Sequence, residues 1–195
     1  STAPVGIGSR PAMYARYRRF ISEELEPTLH LPGLTIVGLN SSHGIQPFTL
    51  TTRPRDLSVV GAIRPMQWSR ARQSFAAAPA GDLKVLVFHH NLLRGKLSNR
   101  WGLASRSLGI EQAARTGADV VLCGHDHEDR IEEVSAAGRR FVVSTANTLS
   151  DRVRGGRESS LNVIETTERE VRVAPWAWVG AVRTFVPQDA GCFQR

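Results

Sequence analysis

The sequence predicts an α/β fold built on a parallel strand–helix–strand unit, and two observations carry that prediction. Two near-continuous apolar runs, "LKVLVF" at 83–88 and "VVLC" at 120–123, have strand length and no polar alternation, the pattern of strands buried on both faces. Between them "LGIEQAARTG" at 108–117 has the length of a helix and ends on Gly117, the residue type that closes helices. Two strands joined through a helix run parallel, so their carboxyl ends lie on one edge of the sheet.

The remaining elements follow in chain order. "YARYRRFISEELEP" predicts a helix from about Pro11, a good first-turn residue, to Glu26, where Pro27 stops it. "LTIVGLN" (34–40) is a strand, and the stretch to 63 is a loop with a short strand near Leu57 to Val60. "RPMQWSRARQSFAAA" spaces Met66, Ala71 and Phe75 along one side of a helix that Pro79 and Gly81 end. After the strand at 83–88, residues 91–107 form a long loop. Beyond the strand at 120–123, "RRFVVSTAN", "SLNVIETT" and "EVRVAPWAWVG" predict antiparallel strands, joined by an Arg/Gly turn (151–158) and a polar turn around Glu168. With no repeat or linker, residues 1–195 are expected to be a single domain.

Composition narrows the function. The chain is 41% hydrophobic over 195 residues, enough for a core, and no apolar run approaches membrane-spanning length. No cationic segment followed by an apolar stretch opens the sequence, so a cytoplasmic protein is expected, although a start at "STAPVG" without Met leaves the native N-terminus open. Two cysteines, Cys123 and Cys192, are too few for a disulfide framework and are read as reduced core thiols. The net charge of +7 is almost all arginine, since only Lys84 and Lys96 are lysine. Such Arg-, Ala- and Gly-rich usage points to a GC-rich bacterial genome, and the clusters lack interleaved aromatics apart from Tyr14 and Tyr17, so nucleic acid is not the expected partner.

The chemistry is concentrated in histidines. Of six, four stand at the ends of the two parallel strands: His89 and His90 after Phe88, His125 and His127 after Gly124. A lone H-x-H is more often a hydrogen-bonded pair than a ligand pair, but convergence of four imidazoles on one sheet edge, where open α/β sheets bind ligands, favours metal. In an extended segment His125 and His127 would project to one side and Asp126 to the other. His30 and His43, in loops containing Pro and Gly, are read as solvated or structural.

"GHDH" at 124–127, with "VLVFHH" upstream and "SLNVIE" downstream, resembles the calcineurin-like metallophosphoesterases of the bacterial cyclic-nucleotide phosphodiesterase type. The resemblance implies a four-layer α/β/β/α sandwich and a binuclear centre of two divalent ions such as manganese, iron or zinc. His89 and His125 would bind one ion, His127 the other, and His90 would lie beside the substrate phosphate as the catalytic residue. The implied activity is hydrolysis of phosphodiesters or phosphomonoesters, with a small-molecule substrate such as a cyclic nucleotide. Many members have proline after the second histidine of the pair, where this chain has Asn91.

The family's earlier motifs, D-x-H, G-D-x-x-D and G-N-H-D/E, are absent from the sequence. The expectation is therefore that this chain is the C-terminal half of such a domain, inactive by itself for want of a carboxylate to bridge two ions. Absent N-terminal strands would then leave an apolar edge at Val85 to Phe88. Two other readings stay open: a metal- or nucleotide-binding fragment without turnover, and a nuclease-like member favoured by positive charge alone.

Overall fold

The computed structural model describes residues 14–43, 60–95, 102–149 and 158–195. At its centre the two apolar runs become β3 (Leu83–Val87) and β4 (Val120–Cys123), parallel and in register from Val85↔Val120 to Val87↔Leu122. The segment between them is α3 (Arg106–Thr116), closed by Gly117 at φ 84°.

On the other side of β3 lies β2 (Leu34–Gly38), also parallel, with β1 (Thr28–Leu31) folded back on it. Leu31 pairs with Leu34, so Pro32 and Gly33 alone make the turn, and Gly33 takes the positive φ of 75° that a Pro-Gly turn demands at its second position. Beyond β4 lie β6 (Arg139–Thr145), parallel to it, and β5 (Arg130–Ala136), antiparallel to β6. Ala137 and Gly138, both at positive φ, form the two-residue hairpin between them. The sheet order is β1-β2-β3-β4-β6-β5.

The second sheet contains β7 (Ser160–Thr166) and β8 (Glu170–Val179), antiparallel. Beside β8 lie β10 (Gly191–Gln194) at its start and β9 (Thr184–Pro187) at its end. Its Val171 and Val173 pack on Leu83, Val85, Val120 and Val142, the face of the first sheet turned from the helices. The opposite face, through Leu86, Val121, Phe141 and Val143, packs on α3 and on α2 (Pro65–Ala76). Alternation along β3 thus sends Leu86 to one layer and Val85 to the other.

The described residues form three layers, α/β/β. Several expectations are corrected. The first helix, α1, covers only Ala15–Phe20 and buries none of its residues, so no apolar face rewards its extension toward Glu26. Met66 is 84% exposed; Trp68 joins Ala71 and Phe75 in the core instead. Residues 139–145 do not pair with β7. All five residues from Phe141 to Thr145 are buried, the pattern of an interior strand, and they slot beside β4. Interior placement also holds for β3, so Val85 to Phe88 present no free edge. The short strand expected at 57–60 and the turn expected at 151–158 lie almost wholly outside the described residues.

Candidate metal and phosphoester site

The carboxyl ends of β2, β3 and β4 form one edge. Backbone pairing continues past the strands there, with Phe88 N donating to Leu122 O at 3.1 Å and Gly124 N to His89 O at 3.0 Å, so the two histidine loops start in contact. His89 Nε2 and His125 Nδ1 come within 3.1 Å. The ring of His90 lies 4.6 Å from that of His125 and 5.0 Å from that of His89, centroid to centroid. His127 is near enough for its charge to act on His89. Partial burial, which strips water from the charged form of the His89 ring, and secondarily that charge, lower its pKa below the usual 6.5, which favours the neutral, ligating form.

The loop after β4 is not extended. His125 and His127 adopt φ of 78° and 57°, the left-handed region that costs a non-glycine residue free energy and that clusters at functional sites. Asp126 between them turns inward and is fully buried.

His90 is itself buried and is held by Ser41, at the end of β2: its backbone N–H donates to Ser41 Oγ at 3.2 Å, and the same hydroxyl lies 2.8 Å from Nδ1. With Ser41 donating to Nδ1, the proton of a neutral ring sits on Nε2, and the ring becomes a donor on its outer side. Gly61 closes over it; a Cβ there would stand 2.1 Å from His90 Cγ. Ser41 and Gly61 carry no sequence signal of their own, because only tertiary packing brings them to His90.

Two imidazole nitrogens 3.1 Å apart suit one ion. Nitrogens each about 2.0–2.1 Å from a zinc-like ion stand about 2.9–3.4 Å from each other between octahedral and tetrahedral angles. Among the described residues no group of three or more His, Cys, Asp or Glu is arranged to hold an ion. The described residues thus present one pair of imidazole nitrogens at the spacing that two ligands of one ion share, and the Asp126 side chain between the histidines of the second loop points into the core.

The remaining histidines lie elsewhere. At the amino end of β2, His30 Nδ1 lies 3.1 Å from Thr35 Oγ1, whose hydroxyl donates to Asp82. His43 Nε2 lies 3.1 Å from Gln67 Oε1, at the wall of a cavity of about 830 Å³ between α1 and α2 that none of the four clustered histidines lines. Cys123 is buried and Cys192 exposed, so only the first is the core thiol expected of both. In the loop that follows the first histidine pair, Arg94 offers its carbonyl to Arg130.

No protein-family model matches the sequence. No curated protein matches it either. Solved structures similar to the chain include a Vps29 double mutant from Entamoeba histolytica, at 11% identity over 90% of this chain and 62% of that one, with a TM-score of 0.35. GAP50, the anchor in the inner membrane complex of Plasmodium, is 11% identical over 85% of this chain and 53% of that one, at 0.41. A Streptococcus pneumoniae protein described as a predicted phosphoesterase is 11% identical over 82% of this chain and 97% of that one, at 0.36. The chain thus spans less than two thirds of the first two. The fold itself is a mixed α/β architecture with a sheet of mostly parallel strands.

Proposed function

We propose that the sheet edge bearing His89, His90, His125 and His127 is the histidine side of a divalent-metal phosphoesterase centre whose acidic ligands lie outside the described residues. The observation that carries the reading is the 3.1 Å approach of His89 Nε2 to His125 Nδ1 at adjacent strand ends. The "GHDH" resemblance supports it. Bound divalent ions would supply Lewis acidity and an activated water. The chain's own residues supply neutral nitrogens from His89 and His125, a further imidazole from His127, and from His90 an N–H placed to meet a phosphate oxygen. The substrate class is a small phosphodiester or phosphomonoester, cyclic nucleotides included.

The inward turn of Asp126 favours a second reading, a metal- or nucleotide-binding unit without turnover. Zinc titration of the chain by calorimetry tests what both share. One ion per chain is expected, with affinity lost in H89A and H125A and retained in H30A. Equal affinity in all four proteins sinks both readings. Hydrolysis of a chromogenic diester after the missing ligands are supplied by the parent protein separates the two.

A further inference from the structure

Beneath the rings, the two histidine loops are joined by a buried polar pair. Asn91 follows His90 and is 2% exposed; Asp126 lies between His125 and His127 and is fully buried. The Asn91 Nδ2 amide donates to Asp126 Oδ2. Its Oδ1 accepts from Thr145 Oγ1 at 3.1 Å, and Cys123 Sγ donates to the same oxygen at 3.6 Å. Thr145 ends β6 and Cys123 ends β4, so this one amide ties the loop after β3 to the ends of β4 and of β6 beyond it. The backbone of Asn91 is fixed as well. Its carbonyl accepts from Leu103 N at 3.0 Å, and Gly102 packs so close that a Cβ there would stand 2.2 Å from that oxygen.

Energetics make the pair hard to separate. A carboxylate buried without a hydrogen bond is costly, and Asp126 Oδ1 has no hydrogen-bond partner among the described residues, so the Asn91 amide carries the compensation. On either side of Asp126 the backbone is left-handed, at φ 78° and 57°, a conformation that persists only where surrounding structure over-determines it. Anchoring the Asp126 side chain in the core is such a constraint on the turn that carries His125 and His127.

We infer that Asn91 and Asp126 form a latch, a pair of positioning residues that sets the separation of His89 and His125 by locking one histidine loop to the other. Proline at position 91 could donate nothing to Asp126, so the Asn91 departure from the family pattern and the acid at 126 act together. The latch rests on the proposed metal reading only for its affinity readout.

The test compares wild type, N91D, D126N and N91D/D126N by zinc titration and, in the metal-free chain, by the nuclear Overhauser contact between the His89 and His125 rings. N91D sets two carboxylates against each other; it is expected to weaken zinc binding about 10- to 100-fold, the usual effect of losing an outer-shell partner, and to abolish the ring contact. D126N keeps an oxygen for the Asn91 amide but buries an NH2 group where Asp126 Oδ1 has no partner, and is expected to weaken zinc binding less than N91D does. The double variant exchanges donor and acceptor while keeping the oxygens that Thr145 and Cys123 donate to, and is expected to restore both. Wild-type behaviour of N91D, or a double variant no better than N91D, overturns the latch. Should N91D fail to fold, a folded double variant supports it and an unfolded one overturns it. If wild type itself binds no zinc, the metal reading fails, while the latch is still decided by whether N91D keeps the ring contact.

Discussion

At the scale of the residue, the histidines were legible because each follows an apolar run with strand length, and register then carries them to one edge. Their supports were not legible. Ser41 and Gly61 meet His90, and Asp126 meets Asn91, across 29 to 49 positions of sequence, and no local pattern encodes such contacts. The geometry makes Gly61 sensitive: Gly61→Ala forces a methyl into the His90 ring and is expected to cost about 1–3 kcal/mol of stability and to displace the ring, read by denaturant unfolding and by the His90 ring shifts. A substituted protein as stable as wild type, with unmoved shifts, would refute the packing. The His89 ring is expected to titrate below 6.5 by proton resonance. Below 6.5 the unfolded chain takes up this proton more readily than the folded one. The ring's contribution to stability therefore falls as pH drops through that window and is level above it. The thiols give a third check. Burial holds Cys123 protonated and out of reach, while Cys192, its pKa raised first by a hydrogen bond with Glu170, is exposed. Ellman's reagent should label one thiol in the native chain and the second only on unfolding, and two fast equivalents would contradict the assigned core.

Among the elements, the parallel pair β3 and β4 with its intervening helix was readable because buried parallel strands are apolar on both faces and Gly117 closes the helix where a helix must end. β1 and β5 were missed for a shared reason. Each is an edge strand with polar or exposed positions, specified chiefly by its turn, Pro32-Gly33 for one and Ala137-Gly138 for the other. In α2 the periodicity was right in period and wrong in phase: a stripe through Met66 and one through Trp68 both include Ala71 and Phe75 nearby, and only the packing on Phe88, edge to face at 6.3 Å, decides for Trp68. Trp68→Ala is accordingly expected to cost about 3–5 kcal/mol and Met66→Ala less than about 0.5 kcal/mol by denaturant unfolding. Comparable losses from the two would return the helix to the other phase.

For the molecule as a whole, the second sheet explains why the first needs helices on one face only. Val171 and Val173 cover the side that a doubly wound sheet gives to a second helical layer, leaving its strand ends as the open edge where the histidines gather. Among the described residues, that edge brings imidazole nitrogens together while Asp126 points into the core. Two dications a few ångströms apart require anionic bridging ligands to offset their repulsion, and neutral imidazoles provide no charge for it. The purified 195-residue chain is therefore expected to bind zinc or manganese yet to hydrolyse a chromogenic phosphodiester at least about 10³-fold more slowly than an intact two-metal phosphoesterase, since deletion of a single charge-stabilising contact already costs about 10²–10³. The measurement is initial rate against metal concentration, with H89A as the control for contaminating enzyme, because a contaminant's rate does not respond to that substitution. A metal-dependent rate near that of an intact enzyme, abolished in H89A, would mean that four histidines and one inward-facing acid suffice, and that the sheet edge rearranges on binding so as to turn Asp126 out of the core.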